Sequence, residues 1–179
     1  MILSFSFESA FTYYSSSGEI EEYRLFSFAL LWIVAVMIIL IPVSWWVIKS
    51  DQNFSGNLPF FMYPILFITG NLLVTYCSSL FYARHQYIVP NLLFICFNLL
   101  LLGFLLWGIN SPYSAGHKKL FVDVYFSVFF IQGLLSVILF VLTGPSSFSW
   151  KLPLPRELKM IFHYASKAVL ANILFFLLS

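Results

Sequence analysis

Four uninterrupted apolar runs constrain this chain more than anything else in it. They cover 25–48, 59–83, 86–110 and 120–142. Each exceeds the roughly 20 apolar residues that a helix needs to cross a bilayer. Only the last run carries a charge, Asp123, near its start. In lipid every backbone N–H and C=O must be satisfied internally, which leaves helices or a closed barrel. Barrel strands alternate apolar and polar residues over about ten positions, and these runs do not. The pattern predicts an all-α, polytopic transmembrane helix bundle forming a single domain.

Composition agrees. Apolar residues make up 61% of the chain and charged residues 9%, against about 25% charged in soluble domains. So few charges cannot coat a folded chain of this size for water. A net charge of +2, with no basic cluster interleaved with aromatics, excludes nucleic acid as a partner. Membrane lipid is the expected surrounding. The 22 phenylalanines suit a surface packed on acyl chains.

The two ends read differently from the middle. Ile2–Tyr14 is apolar but short and contains Glu8, so it predicts the tail of a helix. A last helix is expected over 156–179, after the turn-rich stretch that holds Pro153 and Pro155. Proline suits a first helical turn, and Glu157 suits the positive end of the helix dipole. Only Ala168–Ser179 of that helix is charge-free, too short to cross alone. Both ends are expected to be cut from longer helices.

If the spans alternate, Arg24, Arg84, Lys151, Arg156 and Lys159 share one side. Lys49, Lys118 and Lys119 share the other. The richer side is expected to be cytoplasmic. Pro42, Pro64 and Pro90 fall within spans as tolerated kinks or as flexures. Gly70 and Asn71 sit mid-span. No GxxxG occurs, so no dimer face is signalled. The sequon at Asn53 is expected to arise by chance.

Catalytic patterns are missing. There is no HExxH, GxSxG, Walker A or GxGxxG. His85, His117 and His163 lie on separate segments. An enzyme is not expected, nor a cofactor. Cys77 and Cys96 are expected to be inert buried thiols, which behave as small hydrophobes.

One polar pattern stands out. Arg156, Lys159, His163 and Lys167 share a face about 80° wide on a helix of 3.6 residues per turn. Leu158, Ile161 and Ala165 lie opposite. A cation at membrane depth is costly unless it meets water, a partner or an anion. Two readings follow. The ridge touches anionic headgroups with Lys167 snorkelling, or it lines an aqueous cavity that receives a phosphate-bearing lipid. Asp123 is expected to pair with Lys119 one turn earlier. The alternative for Asp123 and Glu8 is proton or ion coupling.

Three stretches carry a family likeness. Glu8-Ser9-Ala10-Phe11-Thr12-Tyr13-Tyr14 resembles the end of the second helix of oligosaccharide flippases. Ser79-Leu80-Phe81-Tyr82-Ala83-Arg84 with Val89-Pro90-Asn91-Leu92-Leu93 resembles their fourth-to-fifth helix junction. Leu158–Ala165 with Leu170–Phe176 resembles the start of their seventh helix. The resemblance implies part of the N-terminal half of a transporter built like the multidrug and toxin extruders, in a bacterial inner membrane. It implies alternating access and a polyprenyl-pyrophosphate-linked oligosaccharide as substrate, with Lys167, His163, Lys159 and Arg156 as phosphate contacts. Other polysaccharide-assembly membrane proteins are the partners it implies. Two other readings stay open: a small membrane interaction subunit, and a drug or ion antiporter of the same superfamily.

Overall fold

The computed structural model describes residues 6–50, 62–110, 118–144 and 150–178. Six helices account for nearly all of them: α1 (Phe7–Ser16), α2 (Glu22–Ser50), α3 (Met62–Ala83), α4 (Ile88–Asn110), α5 (Lys118–Leu142) and α6 (Pro155–Leu178). Four, α2 to α5, are long and apolar enough to cross a membrane. They coincide with the four runs in the sequence to within a few residues at each end. The exception is 59–61, which lies outside the described residues, as do Ile2–Phe5 and the sequon at Asn53.

Side-chain pairings fix the directions of the helices. Tyr63 reaches Asp123, Phe67 meets Phe126 and Phe129, and Phe81 meets Phe140. Both partners advance together, so α3 and α5 run parallel. Phe11 lies against Tyr76 and Thr12 against Ser79, so α1 also runs with α3. Arg84 at the end of α3 reaches Glu22 at the start of α2, so those two are antiparallel. Tyr14 donates to the Met160 carbonyl at 3.2 Å, and Ser6 accepts from Asn172 at 3.4 Å. The later residue of α1 thus meets the earlier residue of α6, and α6 runs against α1. Helices α1, α3 and α5 therefore end where α2 and α6 begin.

The core sits between α1, α2, α3 and the last turns of α5, closed by one face of α6. Phe7, Ala10, Phe11, Leu25, Leu80, Phe140, Ile161 and Ala165 are fully buried there. Rings dominate it: Phe7 meets Trp32, Phe28 and Phe162 edge-on, at 4.9–5.3 Å between centroids. Such pairs add roughly 0.5–1.5 kcal/mol each beyond area burial. Helix α4 is the least enclosed of the spans. Its Leu99, Leu100 and Trp107 face outward, as an apolar helix does when lipid is the solvent.

Local chemistry explains the ends. Helix α3 stops in a Schellman turn: Gln86 N–H donates to the Phe81 carbonyl and His85 N–H to the Tyr82 carbonyl, each at 2.9 Å. His85 takes the left-handed position, φ 60°, which glycine usually fills and histidine visits more readily than most residues. Helix α6 begins with Pro155 in its first turn. Glu157 accepts a hydrogen bond from Leu154 N–H at 2.6 Å, half of a capping box. Pro64 and Pro90 fall in the first turns of α3 and α4, where proline removes no helical bond. Pro42 lies inside α2, which continues through it.

Candidate functional site

The residues expected on one side meet at one end of the bundle. Arg24 pairs with Glu157 at 3.2 Å and lies 3.5 Å from Glu21. Lys151 pairs with Glu21 at 3.0 Å, and Arg84 with Glu22 at 2.6 Å. The Arg84 guanidinium also lies 4.1 Å from the Phe140 ring centroid. These contacts form an ionic belt joining the starts of α2 and α6 to the end of α3. The sequence placed the cations together but assigned them no partners. A signal was there: Glu19, Glu21, Glu22 and Glu157 crowd the same side as the five cations.

Glu21 belongs to the belt and is exposed. The Lys151 hydrogen bond is the largest influence and holds its carboxyl below the ordinary carboxylate value; desolvation opposes it, and the Lys151 and Arg24 charges add to the lowering.

Aromatic residues mark both ends. Tyr13 and Tyr87 are exposed near the belt. Trp45, Trp46 and Trp107 are exposed toward the opposite end of α2 and α4. Tryptophan and tyrosine concentrate at membrane–water interfaces, so the two sets bracket the apolar middle.

The ridge on α6 stands clear of the packing. Ile161 and Ala165 are fully buried against the bundle. Arg156, Lys159, His163 and Lys167 are all exposed. Among the described residues none of these four forms an ion pair. Lys167 follows Glu157 by ten residues, about 15 Å at 1.5 Å per residue. That places it about halfway through a hydrocarbon core of about 30 Å, if the belt marks the interface.

Asp123 and Glu8 part company. Asp123 accepts a hydrogen bond from the Tyr63 hydroxyl. The parallel course of α3 and α5 brings Tyr63 to the level of Asp123. The Lys119 side chain lies outside the described residues. Glu8 is half-buried on α1, and its Oε2 is sealed from solvent with no hydrogen-bond partner.

Two further expectations meet the coordinates. Cys77 is buried, but Cys96 is exposed on α4. Its burial is expected from a run that is charge-free and mostly apolar; lipid-facing and core positions look alike in such a run. Among the described residues no group of three or more His, Cys, Asp or Glu comes together to hold a metal ion. The search of known proteins found no matching family model, no matching curated protein and no matching solved structure.

Proposed function

We propose that the chain is part of a transporter that flips lipid-linked oligosaccharide across a bacterial inner membrane, with the α6 ridge meeting the substrate phosphates. One observation carries the proposal: four cationic or titratable side chains stand exposed along one face of α6, reaching about 15 Å past the ionic belt, while the opposite face packs. A lysine at that depth costs roughly 2.5–3.5 kcal/mol on insertion scales. A wetted groove carrying a pyrophosphate offsets this cost at any depth, whereas snorkelling works only near an interface. The sugar-carrying lipid itself comes from the resemblance of Glu8–Tyr14, Ser79–Arg84 and Leu158–Ala165 to oligosaccharide flippases.

The test replaces Lys167 in the complete transporter and follows export of the lipid-linked sugar. Lys167→Met keeps the length and removes the charge. Export is expected to fall several-fold, with Lys167→Arg milder and membrane insertion unchanged in both. Normal export by Lys167→Met would reduce the ridge to a headgroup anchor and leave the interaction-subunit reading standing.

A further inference from the structure

One flank of the α6 ridge carries a stack of tyrosines. Tyr164 lies three residues before Lys167, so the two are neighbours on the helix surface. The Tyr13 ring of α1 lies parallel to the Tyr164 ring, with 5.0 Å between centroids and 19° between planes. Tyr14 braces the pair: its ring meets both edge-on, and its hydroxyl donates to the Met160 carbonyl at 3.2 Å. Tyr14 is buried, whereas Tyr13 is 46% exposed. The other flank of the ridge differs. Phe162 there meets Phe7, Phe28 and Trp32 edge-on and extends the apolar core. The tyrosine flank instead offers rings with polar tips.

That combination of groups selects among ligands. An aromatic ring has a negative face. A pyranose presents a face of weakly positive C–H groups, which rests flat on such a ring, while its hydroxyls need polar partners at the edge. A lipid tail or a bare phosphate asks for neither. Position matters as well. In a sugar phosphate the ring is bonded directly to a phosphate oxygen, so it must lie beside the cations that hold the phosphate. The Tyr13–Tyr164 stack stands within one helical turn of His163 and Lys167 along α6. Fixing the rings in advance also lowers the ordering cost of binding. A tyrosine that only anchors a protein at the membrane interface needs neither a stacked partner nor a neighbouring cation.

We infer that Tyr13, braced by Tyr164, is the platform for the first pyranose of a sugar-phosphate substrate whose phosphate meets His163 and Lys167. The inference rests on the reading of the α6 ridge as a phosphate contact. It adds the feature that separates a sugar-bearing lipid from any other lipid phosphate, an aromatic face beside the cations.

Calorimetric titration of the purified chain in nanodiscs of zwitterionic lipid tests the two readings apart. The probes are a short-chain prenyl pyrophosphate and the same molecule carrying one hexose. Wild type is expected to bind the hexose-bearing probe several-fold more tightly than the bare one. Tyr13→Leu is expected to abolish that preference and to leave the affinity for the bare pyrophosphate unchanged. Lys167→Met is expected to weaken both probes together. Tyr13→Trp guards against misfolding of the leucine variant and is expected to keep the preference. Equal affinities in wild type, a preference that survives Tyr13→Leu, or its loss in Tyr13→Trp overturns the platform and leaves the phosphate ridge standing, with Tyr13 an interface anchor only. Binding of neither probe removes the ridge reading and the platform together.

Discussion

Gly133 of α5 lies directly against Gly70 of α3: a Cβ added at Gly133 would sit 2.8 Å from the Gly70 carbonyl oxygen and 3.0 Å from its Cα. The reciprocal Cβ at Gly70 would meet the Phe129 carbonyl even more closely. Two parallel helices therefore touch backbone to backbone at mid-span. In lipid, where burying apolar surface no longer favours one helix contact over another, close packing of small residues is a main source of helix association.

Alanine at either glycine is expected to force α3 and α5 apart. Overpacking of this kind costs about 1–3 kcal/mol, because the atoms met are backbone and cannot rotate away. Gly103→Ala on α4 is the control, since an added Cβ there meets nothing within 4 Å. Thermal unfolding in nanodiscs reads the difference. Equal midpoints for Gly133→Ala and Gly103→Ala would mean that the contact does not hold the pair together.

The ionic belt makes a different claim, on pairwise energy. Arg24 and Glu157 are both mostly enclosed, with side chains 20% and 16% exposed. Charged hydrogen bonds contribute about 1.5–3 kcal/mol, and this pair ties α6 to the start of α2. Arg24→Gln and Glu157→Gln are each expected to lower stability by about 1–3 kcal/mol. Glu157→Gln loses less of the Leu154 cap, since an amide oxygen still accepts. The double variant is expected to fall short of the sum. Strict additivity would mean that the two charges do not interact.

How much of this was legible in the sequence follows from what each feature demands. The spans were legible because a bilayer requires some 20 apolar residues in a row, and charge-free runs such as that over 25–48 are hard to miss. The start of α6 was legible from Pro155 and Glu157, whose roles are local. The α6 ridge was legible because its wheel places Ile161 and Ala165 opposite Lys159 and His163, and burial follows that division. Contacts between helices were not. A GxxxG search looks along one helix, whereas Gly70 and Gly133 supply one glycine each. The Tyr63–Asp123 bond needed the parallel register of α3 and α5, which no single run contains. Cys96 was misjudged because an apolar run says that a residue avoids water, not whether protein or lipid covers it.

Acid should loosen the outer belt first. Lys151 and Arg24 hold the Glu21 carboxyl below its ordinary value of 4.5. A carboxyl depressed in the folded state contributes stability that is fully present above its unfolded value. That contribution is lost as pH falls through the folded value. The midpoint is therefore expected to be flat from neutral pH to about 5 and to decline below that. Glu21→Gln is expected to make the decline shallower and to leave neutral-pH stability little changed, because exposed pairs are screened by solvent and salt. An identical acid profile in wild type and Glu21→Gln would remove Glu21 from the account.

Orientation is the last expectation, and the belt sharpens it. Arg24, Arg84 and Lys151 meet at one end, and Arg156 and Lys159 follow Pro155 at the same end. Positive residues near span ends are retained on the cytoplasmic side, and acidic neighbours change this little. The pairing of these cations with Glu21, Glu22 and Glu157 therefore does not cancel the bias. The belt end is expected in the cytoplasm, and the segment between α4 and α5 outside. With Cys77 and Cys96 replaced by alanine, single cysteines at Ser17 and Ser114 report on the two ends. Ser17 is exposed just beyond α1. An impermeant maleimide on intact cells should label the cysteine at Ser114, and the one at Ser17 only after permeabilisation. The reverse pattern would invert the bundle and place the α6 ridge at the outer face, where a substrate arriving from the cytoplasm could not meet Arg156 first.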